Sequence, residues 1–127
     1  MIKAIIHQEP YVTKICSEAN SLIADEPTSL GGKDRGMAPM ELLASSLAAC
    51  TCITLRMYAN RKQWNVNSIE THINIESIDT QTIFERKISL MGTLSAEQTE
   101  RLLHIANHCP VHKLLTHTIK INTSIND

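Results

Sequence analysis

One segment constrains the fold more than any other: residues 39–62 contain no glycine and, between Glu41 and Arg56, no charge. Pro39 suits the first position of a helix, and Glu41 falls in the first turn. The segment therefore predicts a long central helix. Its apolar residues occupy several sides, so we expect burial almost all round, with a second subunit as one source of cover. The uncharged run is shorter than the ~18 residues that a membrane span needs.

Alternating and capping patterns predict the remaining elements. Period-two alternation predicts strands over residues 2–6, 11–16, 69–76, 83–91 and 119–126. Residues 25–36 are rich in Pro, Gly, Ser and Asp, a composition that predicts a loop. The loop is either a functional contact or a mobile connector. A capping box at Ser95 predicts a helix to about Asn107, and Pro110 opens a short helix whose N-cap is Cys109. We expect one α+β domain over residues 1–127, with helices packed on antiparallel sheet.

Composition excludes several classes of function. The 12 basic and 13 acidic residues nearly cancel and form no basic run, so neither nucleic acid nor an anionic membrane is an expected partner. The N-terminal apolar stretch is too short for a signal peptide, which predicts a cytoplasmic protein with reduced thiols. The four cysteines are therefore expected to be catalytic, metal-binding or buried thiols rather than structural disulfides.

Two of the cysteines are candidates for chemistry. Cys109, as an N-cap, would face unpaired backbone N–H groups that favour a thiolate. Cys50 lies in the middle of the apolar helix, where the commoner role of a cysteine is packing. Residues two apart on a helix point about 200° apart, so only one member of the Cys50 and Cys52 pair can meet Cys109. Cys50 shares a stripe with Leu43 and Leu47, and we interpret Cys52 and Cys16 as packing residues.

Histidines near Cys109 suggest a metal site only weakly. His104 and His108 are spaced i, i+4 on one predicted helix, and His112 and His117 follow. Two ligands at helical spacing are common by chance, and no carboxylate cluster or second cysteine pair lies nearby in the sequence. We therefore expect no metal, and metal binding by Cys109 with these histidines is the least favoured hypothesis.

Two separated motifs give the chain a specific resemblance. The first is APMELLASSLAACTCITLRMYANRK, over residues 38–62, and the second is ISLMGTLSAEQTERLLHIANHCPVHKLL, over residues 88–115. Together they resemble the OsmC/Ohr family of osmotically inducible and organic hydroperoxide resistance proteins, over about residues 31–125. The resemblance implies an intertwined homodimer in which curved antiparallel sheets surround a long buried central helix. It also implies active sites near the subunit interface.

The resemblance further implies a peroxidase without a bound cofactor. Cys50 would attack an organic hydroperoxide, Cys109 would form a disulfide with it, and an external dithiol of the lipoyl kind would restore both thiols. Family peroxidases place an N-terminal arginine at the thiolate and a glutamate directly after the motif proline, where this chain has Met40. Arg35 and Glu41 are the candidate substitutes, although Glu41 could instead cap the helix. The alternative is an OsmC-like redox-sensing or small-molecule-binding protein without fast peroxidase activity.

Overall fold

The computed structural model describes residues 1–126. Five strands and three helices follow one another along the chain. The strands are β1 (Lys3–Ile6), β2 (Thr13–Cys16), β3 (Ser21–Ala24), β4 (Asn65–Ile78) and β5 (Gln81–Thr93). The helices are α1 (Pro39–Lys62), α2 (Ala96–Ala106) and α3 (Pro110–Leu115). Antiparallel sheets and a long central helix confirm the predicted α+β class.

Helix α1 has the predicted bounds but not the predicted burial. Its buried residues are Leu47, Thr51, Leu55, Tyr58 and Ala59. Ile53 and Met57 remain 59% and 68% exposed. The single chain gives these apolar side chains no cover, so burial almost all round stays a prediction that depends on the second subunit it allows for. By length and composition α1 could cross a membrane, with a mean hydropathy of 1.4, but the core helix of a soluble protein passes the same test.

The chain divides into two compact units, Met1–Ser45 and Ser46–Asp127. In the first unit, β2 pairs antiparallel with both β1 and β3. Strand β3 lies within residues 1–25, which the sequence predicts as short strands without giving this one separate bounds. The side chain of Asp25 organises the predicted loop, because its carboxylate accepts the backbone N–H groups of Glu26, Lys33 and Arg35 at 2.8, 3.2 and 3.1 Å. One turn of 3-10 helix, Thr28–Leu30, interrupts that loop.

In the second unit, β4 and β5 form a long antiparallel hairpin, extended beyond the two strands predicted there. One irregularity in the register lies between Val66 and Ser68. The buried core of this unit consists of residues from α1, β4 and α2: Leu55, Tyr58, Ala59, Val66, Leu102 and Ala106. The hairpin therefore packs against α1, which carries Cys50, and against α2, whose end lies three residues before Cys109.

The C-terminal strand predicted over residues 119–126 does not form, and this prediction is wrong for the single chain. Residues 118–126 adopt neither helix nor strand, and Ile121 and Ile125 are 83% and 93% exposed. A strand needs a neighbour for its backbone hydrogen bonds. Among residues 1–126, none pairs with this segment, so its alternating pattern finds no partner within the chain.

The start of α2 provides a test of local stability. Ser95 accepts the backbone N–H of Gln98, and the Gln98 side chain accepts the backbone N–H of Ser95, so the predicted capping box is confirmed. We expect Ser95→Ala to lower the free energy of unfolding by about 1 kcal/mol, because a helix N–H loses its acceptor. Urea denaturation measures the change. Ser95→Asp, which keeps an acceptor, is the control and should recover most of the loss.

Candidate functional site

The two candidate cysteines occupy different environments. Cys50 lies on α1 and is partly buried, whereas Cys109 is completely buried. Cys109 is the N-cap of α3, as predicted, and its Sγ accepts the backbone N–H of His112 at 3.3 Å. The sulfur therefore caps the first turn of α3. Both cysteines are free thiols in the structure.

Arg86, on β5, contacts the segments around both cysteines. Its Nη1 donates to Thr51 Oγ1 at 3.2 Å and to the carbonyl oxygen of Ala106 at 3.1 Å. Its Nη2 donates to Asn107 Oδ1 at 2.8 Å and lies 3.3 Å from His112 Nδ1. Thr51 directly follows Cys50, while Asn107 and His112 lie on either side of Cys109. One guanidinium therefore joins the two cysteine-bearing segments.

A cleft of about 500 Å³ lies beside this guanidinium. Its polar wall includes Arg86, Asn107 and His112. Its apolar wall is formed by Leu47, Phe84, Ile88, Leu103 and Leu115. The cleft can therefore receive a molecule that has an apolar body and a polar group.

His112 is held neutral at the polar wall. Burial lowers its pKa first, and the positive charge of Arg86 and the neighbouring His108 lower the pKa further. A neutral ring also fits the contact with Arg86, because Nδ1 can accept a hydrogen bond only when it carries no proton. The proton of the neutral ring then sits on Nε2.

The first unit holds Arg35 and Glu41 in other interactions. Arg35 Nη2 lies 2.6 Å from a Glu9 carboxylate oxygen, and Arg35 Nε lies 3.8 Å from Asp25. Glu41 accepts the backbone N–H of Ala38 at 2.8 Å, so it caps the start of α1. A catalytic role for either residue stays a prediction.

The remaining thiols and histidines take local partners. Cys52 Sγ lies 3.2 Å from Thr71 Oγ1, a packing contact between α1 and β4 that agrees with the structural role expected of this cysteine. His108 Nδ1 lies 2.8 Å from the carbonyl oxygen of His104. Over residues 1–126, no three His, Cys, Asp or Glu side chains come together in a way that could hold a metal. The geometry gives the metal hypothesis no support.

Sequence reasoning missed Arg86, although β5 carries a signal for it. Phe84, Arg86, Ile88 and Leu90 alternate with exposed residues, so a cation occupies an inward position of an otherwise apolar face. A charged residue on a core-facing strand position needs buried partners. Only the fold shows that these partners flank Cys50 and Cys109.

These features define a small α+β protein with free thiols on segments that one arginine brings together. The family model for OsmC-like proteins matches residues 31–124, and the chain therefore belongs to this family. No curated protein is significantly similar in sequence.

Solved structures share the fold at low sequence identity. A protein from Psychrobacter arcticus 273-4, named for osmotic stress and detoxification, has 21% identity and a TM-score of 0.76 over 89% of this chain and 85% of its own. The OsmC-like protein from Mycoplasma pneumoniae has 19% identity and a TM-score of 0.75, with coverage of 91% and 85%. The organic hydroperoxide resistance protein OhrB of Bacillus subtilis has 20% identity and a TM-score of 0.57, with coverage of 91% and 89%.

The state of His112 gives a prediction about pH. Its pKa is depressed in the folded chain, whereas the unfolded chain has an ordinary histidine pKa of about 6.5. The unfolded state therefore binds a proton first, and stability is lost as the pH falls below about 6.5. We expect NMR titration to give a His112 pKa below that value. His112→Gln should weaken the fall in the free energy of unfolding on acidification, and an unchanged slope would contradict this account.

Proposed function

We propose that this protein is a thiol peroxidase that reduces organic hydroperoxides in the cytoplasm, as part of oxidative stress defence. Cys50 is the attacking thiol and Cys109 the resolving thiol. Membership of the OsmC-like family supports this proposal. Further support comes from the shared fold with a protein that is named for organic hydroperoxide resistance.

One observation supports the proposal that Cys50 and Cys109 act as a pair. Arg86 Nη1 contacts both Thr51, the residue after Cys50, and the carbonyl oxygen of Ala106, three residues before Cys109. Because one nitrogen atom reaches both groups, the cysteine-bearing segments are neighbours in space. Neighbouring cysteine-bearing segments are a requirement of a two-cysteine cycle.

The proposed cycle has three balanced steps. The Cys50 thiolate attacks one oxygen of the hydroperoxide, the O–O bond breaks, and the departing alkoxide takes a proton to leave as an alcohol. Cys50 becomes a sulfenic acid. The Cys109 thiol then attacks the Cys50 sulfur, and a disulfide and water form. An external dithiol of the lipoyl kind reduces the disulfide by exchange and is itself oxidised.

The cleft beside Arg86, whose lining includes neither Cys50 nor Cys109, would favour an organic peroxide over hydrogen peroxide. Phe84, Leu103 and Leu115 form an apolar wall that can bury an alkyl tail. Burial of apolar surface gains roughly 25 cal/mol per Å². Hydrogen peroxide has no such surface and gains nothing from the wall.

Arg35 and Glu41 are proposed as the remaining members of the site. Arg35 would supply the positive charge that assists the attack by Cys50, and Glu41 would act through the start of α1, where it caps the helix. The contact of Arg35 with Glu9 limits this role, because a paired cation attracts a thiolate less strongly. Arg35→Gln should therefore slow the first attack only if Arg35 leaves Glu9 and pairs with the Cys50 thiolate instead.

Stopped-flow kinetics tests the peroxidase assignment. With cumene hydroperoxide and a dithiol reductant, we expect rapid consumption of peroxide by the wild type and loss of nearly all of it in Cys50→Ser. Cys52→Ser, which changes the neighbouring thiol on the same helix, is the matched control and should keep the activity. Equal rates in wild type and Cys50→Ser would exclude the proposed attack.

A second candidate function is redox sensing or small-molecule binding without fast peroxidase chemistry. The observation that favours it is the ion pairing of Arg35, the expected activating cation, with Glu9 and Asp25. Under this function Cys50 would react with peroxide no faster than a free thiol does. The same stopped-flow experiment therefore distinguishes the two functions.

We also propose that the protein acts as a homodimer. Helix α1 exposes the apolar side chains of Ile53 and Met57, and the C-terminal segment carries a strand pattern that is unpaired among residues 1–126. A second copy of this chain supplies both missing partners at once: a surface for α1 and an edge for the C-terminal strand.

Sedimentation equilibrium tests the dimer. We expect the wild type to have twice the mass of one chain, and Met57→Glu to shift it toward the monomer, because a charge would be buried at the interface. Asn60→Glu adds the same charge to the same helix at a polar position and serves as the control. A monomeric wild type would contradict the proposal.

A further inference from the structure

Arg86 is a half-buried cation whose hydrogen-bond partners are all uncharged. They are a hydroxyl, a backbone carbonyl, an amide oxygen and a neutral imidazole. Within residues 1–126, no carboxylate forms an ion pair with it. Removing a charge from water without a counter-ion costs free energy. An arginine on a solvent-exposed strand would keep its charge in water. The placement of Arg86 among neutral partners therefore indicates a specific role.

The hydrogen bond between Arg86 and Thr51 of α1 has a defined donor and acceptor. The Thr51 hydroxyl donates its single proton to the carbonyl oxygen of Leu47 at 2.7 Å, so its oxygen faces Arg86 as an acceptor. Thr51 is completely buried, which leaves it little freedom to turn. Arg86 therefore fixes the turn of α1 that carries Cys50.

The contacts on the other side enclose Cys109. Ala106 and Asn107 form the end of α2, and His112 lies in the first turns of α3, where its backbone N–H also donates to Cys109 Sγ. Arg86 binds residues both before and after Cys109. The planar guanidinium offers its donors in a fixed fork, which holds several partners in one arrangement better than a flexible ammonium does.

We propose that Arg86 is a positioning residue for the resolving step: it holds the Cys50 turn of α1 against the α2–α3 segment of Cys109 so that the disulfide can form. This inference rests on the proposed two-cysteine function and adds a residue to it. Closing a disulfide requires Cα atoms about 4.4–6.8 Å apart and a suitable direction of approach. The first attack on the peroxide involves Cys50 alone and does not need this alignment.

Separate measurement of the two chemical steps tests the inference. After one equivalent of cumene hydroperoxide, a sulfenic-acid probe follows the first attack, and mass spectrometry without a reductant follows formation of the Cys50–Cys109 disulfide. We expect Arg86→Gln to slow disulfide formation at least tenfold, since misaligned reacting groups lose rates of this order or more. Arg86 also lines the cleft proposed to take the peroxide, so the first attack should slow as well, but by a clearly smaller factor. In a second sample with excess peroxide, the unresolved sulfenic acid would be oxidised again, and mass spectrometry should find Cys50 with two added oxygen atoms.

Two further variants make the result specific. Arg56→Gln removes an arginine of α1 that binds the carbonyl oxygens of Val66 and Asn67 instead, and it should leave both steps unchanged. Thr51→Val removes one acceptor of Arg86 while keeping the shape of the side chain. We expect it to slow disulfide formation by a smaller factor, and it carries the test if Arg86→Gln does not fold.

The outcomes separate this inference from the peroxidase proposal. Disulfide formation at the wild-type rate in both Arg86→Gln and Thr51→Val would overturn the inference. So would an equal slowing of both steps by Arg86→Gln, because Arg86 would then act on the attacking thiol. If the wild type proves inert toward peroxide, equilibration of the thiol pair with oxidised dithiothreitol still measures alignment: a weaker tendency to form the disulfide in Arg86→Gln supports the inference, and equal values overturn it.

Discussion

One half-buried guanidinium connects the hairpin of the second unit to α1, to the end of α2 and to α3. Arg86 reaches α1 through Thr51, the end of α2 through Ala106 and Asn107, and α3 through His112. Hydrogen bonds of a charged donor are roughly twice as strong as neutral ones and are sensitive to direction. The site is therefore held by polar contacts that cross between elements, on top of an aliphatic core that does not by itself fix how helices are aligned.

The contacts of His112 link the protonation state of its ring to the surroundings of Cys109. A neutral His112 accepts from Arg86 with its ring, while its backbone N–H donates to the Cys109 sulfur. Protonation of that ring would remove the acceptor and place a second positive charge beside the guanidinium. The environment of Cys109 thus depends on the protonation of a group that does not contact the sulfur through its side chain.

Helix α1 has apolar side chains that the single chain does not bury. Ile53 and Met57 are as apolar as the core residue Leu55, which lies between them on the helix, yet they remain uncovered. Residues 119–126 also have the alternating sequence of a strand, yet their backbone pairs with no neighbour among residues 1–126. Both features are explained by the homodimer proposed above, which would cover the helix and pair the strand.

The sequence alone determined the local structure of this protein. The proline and the uncharged run set the bounds of α1, Ser95 and Gln98 set the start of α2, and Pro110 made Cys109 an N-cap; each rests on contacts within a few residues. Tertiary structure decided the rest. β3 forms because β2 offers it an edge, the strand pattern at residues 119–126 fails because no neighbour is present, and Arg86 became part of the site because its partners converge from distant parts of the chain. A charged residue at an inward strand position signals that partners exist, but their identity depends on packing that no local pattern encodes.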